Sequence, residues 1–154
     1  MALSVIIALY ISIGLMSAAG SVAIAKKLFS AKAEQLFFGL FLVPIAGFYL
    51  AFTAHFGNEG AWRLEAGAVV VFAVLGVLGS RVPIVLMLGY VLHGLWDLLH
   101  ELHAHAGVVD FGTSTVTEIP LAYGAFCATY DWCMAAYFYT QRGQWSAAWG
   151  AQAR

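Results

Sequence analysis

The chain has 154 residues, of which 62% are hydrophobic and 10% are charged. A soluble domain is typically about 45–50% apolar and about 25% charged. The 7 Lys and Arg and the 8 Asp and Glu residues therefore cannot supply the polar surface of a water-soluble protein of this size. A formal net charge of −1 gives no attraction to a polyanion. Soluble globular, disordered and nucleic-acid-binding proteins are excluded, and a small integral membrane protein remains.

Five apolar stretches approach or exceed the length that a membrane helix needs, which is about 20 mostly apolar residues. In chain order, the predicted spans cover residues 3–25, 36–56, 62–79, 82–103 and 118–140. Pro44 predicts a kink in the second span. Pro83 and Pro120 are expected in the first turns of the fourth and fifth spans, where a missing N–H is tolerated. We predict an all-α bundle of five transmembrane helices, forming one domain over residues 1–154 with an interfacial tail at 141–154.

The distribution of Lys and Arg predicts the orientation, because these residues are enriched in cytoplasmic loops. With the amino terminus outside and the carboxy terminus inside, only Arg63 lies outside. The residues then placed inside are Lys26, Lys27, Lys32, Arg81, Arg142 and Arg154. No Lys or Arg precedes the first apolar run, which favours a retained helix over a signal peptide. Trp145 and Trp149, spaced i, i+4, suit a tail in the inner headgroup layer. We expect a multi-pass protein of the plasma (inner) membrane.

A polar stripe follows the fourth span within the run H-G-L-W-D-L-L-H-E-L-H-A-H, residues 93–105. At about 100° per residue, His93, Asp97 and His100 fall on one face of a helix. Glu101 lies beside that face. Ionisable side chains within a membrane span are costly, so each one marks a candidate functional site.

The fifth span offers a matching face with Cys127 and Asp131 on it and Tyr123 at its flank. Cys127 and Cys133 point away from each other on a helix and are interpreted as ordinary buried thiols. On spans two and three, His55 and Glu65 are expected near the outer rim. If these faces converge, spans two to five enclose a polar pocket that opens outward and narrows to Asp131.

Metal binding is one chemistry that this set of side chains favours, because His nitrogen and carboxylate oxygen bind zinc, iron or copper. Three ligands at i, i+4 and i+7 rise about 10 Å along one helix, so they cannot all bind one ion without distortion. Two adjacent ligands of the stripe with others from neighbouring helices form a better site. The candidate ligands are His93, Asp97, His100, Glu65, Glu101, Glu118 and His55.

Acid–base catalysis without a metal is the second chemistry. A buried Asp and a nearby His exchange protons near neutral pH, and a lipid-soluble substrate could enter from the bilayer. The candidate catalytic residues are His93, Asp97, Asp131 and Tyr123. Three alternatives stay open: a structural hydrogen bond between His93 and Asp97, passage of protons or a cation, and an accessory role in a larger complex.

The string His93-Gly94-Leu95-Trp96-Asp97-Leu98-Leu99-His100 resembles a family of small multi-pass membrane proteins that carry an H-G-x-W-D-x-x-H motif. That family is a domain of unknown function, so the resemblance implies no activity. In span number and intramembrane polar residues the chain is also similar to the five-helix emopamil-binding and sterol-isomerase proteins. That architectural similarity implies a hydrophobic, lipid-like ligand, although a fold does not fix a function.

The preferred function is a membrane-embedded enzyme that acts on a lipid-soluble molecule by metal-assisted or acid–base chemistry. A non-catalytic metal- or proton-binding protein is the alternative. The expected partners are membrane lipid, a lipid-soluble small molecule and further copies of the same chain in a homo-oligomer, with no nucleic acid.

Overall fold

The protein is described from a computed structural model, which describes residues 2–106, 110–111 and 114–150. Its helices are α1 (Ala2–Leu28), α2 (Ala31–Phe56), α3 (Trp62–Gly79), α4 (Pro83–Ala106) and α5 (Tyr123–Gly150). A 3-10 turn, Glu59–Ala61, precedes α3. Two short antiparallel strands, β1 (Asp110–Phe111) and β2 (Ser114–Thr115), lie between α4 and α5.

The predicted all-α fold with five helices is confirmed, with the two-residue strands as a small addition. The helices α1, α2, α3 (with its preceding turn) and α4 are long and apolar enough to cross a membrane. The fifth helix has 28 residues and is less apolar than the other four. These helices make the chain a membrane protein, whereas the orientation and the kind of membrane stay predictions.

The helices pack around a central pair formed by α4 and α5. The helix α1 lies against α5, α2 lies against α3, and α3 lies against α4. The buried core contains Leu42, Phe72, Leu86, Tyr90 and Phe138, whose side chains come from four helices. Within lipid, burial of these apolar groups contributes little to the stability of the bundle, because acyl chains are as apolar as the core. Close packing and internal hydrogen bonds therefore hold the helices together.

A pair of glycines lets α2 and α3 approach closely. A Cβ atom added at Gly39 would lie 2.7 Å from the backbone oxygen of Gly76, and one added at Gly76 would collide with the backbone oxygen of Gly39. Small residues at a helix crossing are typical of membrane bundles. Since α3 also packs against α4, this crossing helps to fix the position of α2 relative to the polar stripe.

The boundaries differ from the predicted ones chiefly in the last helix. It begins at Tyr123, not near residue 118, because Ala122 adopts a left-handed φ of 60° that ends the preceding turn. Pro120 therefore lies before the helix, whereas Pro83 begins α4 as predicted. The helix α2 continues through Pro44.

The segment predicted as an interfacial tail is a continuation of α5 as far as Gly150. Its Trp145 is fully buried and donates a hydrogen bond from Nε1 to Glu34 Oε2 at 3.1 Å. Trp149 Nε1 donates to Gln35 Oε1 at 2.9 Å. The end of α5 is thus held against the start of α2, and Arg154 lies outside the described residues.

Candidate functional site

Three ionisable side chains meet between α4 and α5 in the middle of the bundle. His93 Nδ1 lies 2.6 Å from Asp131 Oδ2 and 3.3 Å from Asp97 Oδ2. All three residues are buried, with exposed fractions of 2% or less. We name these three residues, which the structure brings together, the His93 triad.

Close contact of α4 with α5 is what brings the triad together. His93 and Asp97 lie one turn apart on α4, and Asp131 faces them from α5. Gly124 permits this contact, because a Cβ atom there would collide with the backbone oxygen of Asp97 and lie 2.8 Å from Cβ of Glu101.

A fourth residue, Tyr49 on α2, completes the centre and was not among the predicted site residues. Its hydroxyl donates a short hydrogen bond to Asp97 Oδ1. In the described part of the chain, this is the only hydrogen bond between α2 and the triad. The sequence does carry a signal for it: Leu42, Ala46 and Tyr49 follow one another at helical spacing on the buried face of α2.

The triad contains two carboxylates and no permanently charged cation. Among the described residues, every ion pair joins a His to a carboxylate, and none involves Lys or Arg. Two buried atoms of the triad, His93 Nε2 and Asp97 Oδ2, have no hydrogen-bond partner in this part of the chain. A group of this kind is neutralised by protons or by a metal ion, since two bare carboxylates in a dry interior repel each other.

The geometry of the triad is compatible with a metal ion. One ligand atom from each of His93, Asp97 and Asp131 lies within 4.8 Å of the other two. This group could therefore hold a metal. It differs from the predicted site, in which Glu65, Glu118 or His55 joined two adjacent ligands of the stripe. Asp131, which was predicted as a catalytic residue and not as a ligand, takes the third position.

A cavity of about 420 Å³ adjoins the triad. His93 and Asp131 form part of its wall, and aromatic side chains make up most of the rest. Its full lining comprises Ser21, Phe41, Ile45, Phe48, Phe52, His93, Tyr123, Phe126, Cys127, Tyr130 and Asp131. The predicted pocket lay between spans two to five; in the structure α1 contributes to the lining and α3 does not.

This cavity reaches the side of the bundle. Phe48 in its wall is 50% exposed, and Phe41 and Ile45 are half-buried. The helices α1 and α2, which both line it, pack mainly against α5 and α3 respectively. On a membrane helix the exposed side faces acyl chains, so an apolar molecule could reach the triad from the bilayer.

Glu65 and His100 form a separate buried pair nearer the loop end of α4. Glu65 Oε1 lies 2.9 Å from His100 Nε2 and accepts a 2.9 Å hydrogen bond from the Thr117 backbone N–H. His100 Nδ1 lies 2.9 Å from the Trp96 carbonyl oxygen. A carbonyl oxygen only accepts, so His100 Nδ1 carries a hydrogen, and one further hydrogen is shared between His100 Nε2 and Glu65 Oε1. The pair joins α3, α4 and the segment before α5, which points to a structural role.

The remaining predicted candidates lie apart from the triad. Glu101 is buried and accepts hydrogen bonds from the Ala125 backbone at 3.3 Å and from His105 at 2.7 Å. His55 and Glu118 are exposed. Tyr123 lines the cavity and packs edge-on against Phe52 at 4.9 Å between ring centroids. Only Tyr123 of this group can therefore contact a molecule that lies beside the triad.

The sequence model of a family of unknown function, DUF6010, matches residues 9–144. No curated protein matches the chain, and no solved structure matches it. The architectural similarity to the emopamil-binding and sterol-isomerase proteins stays a prediction.

Proposed function

The chain belongs to the family of unknown function DUF6010, and from the site itself we propose that it is a membrane-embedded enzyme acting on a lipid-soluble substrate by acid–base chemistry. We place it in the plasma (inner) membrane, with the amino terminus outside and the carboxy terminus inside, as the distribution of Lys and Arg predicts for the orientation. The observation that carries the proposal is the position of His93 and Asp131, which are hydrogen-bonded to each other and together form part of the wall of an apolar cavity.

The His93 triad has the arrangement that a general base requires. An ionised Asp131 accepts, so its 2.6 Å contact places the hydrogen of the neutral imidazole on Nδ1 and leaves Nε2 as the basic nitrogen. A carboxylate on one ring nitrogen orients the ring and stabilises the imidazolium that forms when the other nitrogen takes a proton. Asp97 lies 3.3 Å from the same ring nitrogen, and Tyr49 holds Asp97 in place.

The cavity favours a substrate that is mostly hydrocarbon and carries one polar or acidic group. Phe41, Phe48, Phe52 and Phe126 supply apolar walls, whereas the ionisable groups of the lining lie on α4 and α5. In the proposed reaction His93 takes a proton from the substrate and returns it, at the same or a neighbouring atom. This sequence needs no oxidant, reductant or second substrate, and a positioned base accelerates it by about 10²–10⁴-fold.

Deuterium incorporation tests the proposal without knowledge of the substrate. Membranes that contain the protein are incubated in D₂O, and their extracted lipids are surveyed by mass spectrometry. We expect at least one lipid-soluble species to gain deuterium or to be converted with the wild type, and about 100-fold more slowly with His93→Gln.

His55→Gln is the matched control, because it makes the same change at an exposed histidine outside the site. It should leave the deuterium pattern unchanged. An unaltered lipid pattern with the wild type, or equal activity in folded His93→Gln protein, contradicts the proposal.

Metal-assisted chemistry is a second candidate, favoured by the three ligand atoms that lie within 4.8 Å of one another. A divalent ion such as zinc, iron or copper would balance two carboxylates with a neutral His93. Elemental analysis of the purified protein separates the two candidates. Less than about a tenth of an equivalent of metal per chain after reconstitution excludes metal-assisted chemistry, since a ligated site retains its ion.

A further inference from the structure

Two cationic side chains lie over the Trp149 ring, at the end of the bundle opposite the strands. Lys32 Nζ lies 5.2 Å from the centroid of a Trp149 ring, and Arg81 Cζ lies 4.3 Å from one. Lys32 belongs to the first turn of α2, and Arg81 lies between α3 and α4. Three separate parts of the chain therefore bring two positive charges and one indole to the same place.

The indole itself is fixed in position. Its Nε1 donates to Gln35 Oε1, and Gln35 Nε2 donates to the Gly79 carbonyl oxygen at 2.8 Å. Gln35 is fully buried. This chain of hydrogen bonds links α5, α2 and the end of α3, so Trp149 is a rigid platform between the two cations.

Neither cation has a negative partner within the described residues. No Lys or Arg forms an ion pair in that part of the chain. The carboxylate of Glu34, two residues after Lys32, instead accepts hydrogen bonds from the Tyr137 hydroxyl at 2.5 Å and from Trp145 Nε1 at 3.1 Å. Lys32 is half-buried and Arg81 is exposed, so both can reach a ligand. Their charge is available to an anion from outside the protein.

Apolar surface begins immediately beside the cations. Leu36 follows Lys32 by one turn and is 41% exposed, and Leu78 and Val82 flank Arg81 with exposed fractions of 52% and 44%. The cations thus lie where a lipid-facing surface meets the end of the bundle, which is the level of phospholipid headgroups.

We propose that Lys32, Arg81 and Trp149 form a binding site for one anionic phospholipid. Its phosphate lies between the two cations, and its acyl chains lie along the apolar surface next to them. A positive charge held at headgroup level attracts an anionic headgroup, and the acyl contact distinguishes such a lipid from a free phosphate ion. The proposal does not depend on the chemistry at His93.

Native mass spectrometry of the purified full chain tests the site, with phosphatidylglycerol and phosphatidylcholine as probes. The wild type is expected to retain one phosphatidylglycerol in preference to phosphatidylcholine. Lys32→Gln and Arg81→Gln are each expected to weaken this retention by about fivefold, and Arg81→Lys should keep most of it.

Lys27→Gln is the matched control, because it removes one exposed positive charge from the same end of the bundle without a ring contact at Trp149. It should retain the lipid as the wild type does. Equal loss in Lys27→Gln and Lys32→Gln overturns the site in favour of diffuse surface attraction. Equal retention of phosphatidylcholine, or displacement of the lipid by millimolar inorganic phosphate, overturns it too.

Discussion

Replacement of His100 with leucine is expected to lower the free energy of unfolding by about 3–5 kcal/mol, because it leaves the fully buried Glu65 carboxyl group without the histidine that pairs with it. The lost interaction is a 2.9 Å contact between two side chains with no measurable exposure. Reversible unfolding in mixed detergent micelles, followed by circular dichroism, measures this loss.

Adding Glu65→Gln to His100→Leu should recover about half of the loss. The glutamine is neutral, so no charge is left buried, and its side-chain oxygen still accepts the Thr117 N–H. His105→Leu is the control on the same helix. Its partner interaction with Glu101 is partly exposed, at 25% for the His105 side chain, and its loss should cost under about 1 kcal/mol. Similar losses for His100→Leu and His105→Leu would show that Glu65 is not charged.

Substitution of Asp97 by asparagine is expected to abolish the proposed turnover and to raise the free energy of unfolding by about 1 kcal/mol. Two carboxylates that share one histidine repel each other in a dry interior, and the substitution removes one of these charges. The asparagine oxygen can still accept from Tyr49. Catalytic centres commonly carry such a stability penalty, so loss of function accompanies gain of stability.

The sign of this change separates the two candidate chemistries. If a metal ion is bound, Asp97→Asn removes a ligand and lowers the stability of the metal-loaded protein. Thermal unfolding with and without added zinc gives the comparison. Glu118→Gln, at an exposed carboxylate, should not alter stability in either case. A decrease in metal-free Asp97→Asn would contradict the charge repulsion on which the prediction rests.

The helices were predictable from the sequence wherever apolar length alone determines them. The third span was predicted at residues 62–79, and α3 has these limits. The fifth was misplaced at both ends. Apolarity falls after residue 140, yet the helix continues because Trp145 and Trp149 find hydrogen-bond partners on α2, which no local pattern reveals.

Part of the site was also predictable from the sequence. Helical spacing joins His93 to Asp97 within one helix, and intramembrane cost singles out Asp131 on another. The contribution of Tyr49 depends on how α2 rotates against α4, and tyrosine on a buried helix face is usually a packing residue. Spacing also grouped His100 with His93, because it cannot show that Glu65 on α3 satisfies His100 instead.

The attachment of α5 to α2 at Glu34 and Gln35 sets the axial position of the whole helix. Asp131 lies 14 residues before Trp145, which is about 21 Å along a helix. A slip of α5 by a single residue would move Asp131 by about 1.5 Å, enough to break its 2.6 Å contact with His93. Changes in the final turns of α5 can therefore alter the geometry of the His93 triad, and with it the proposed proton transfer, without any contact with the triad.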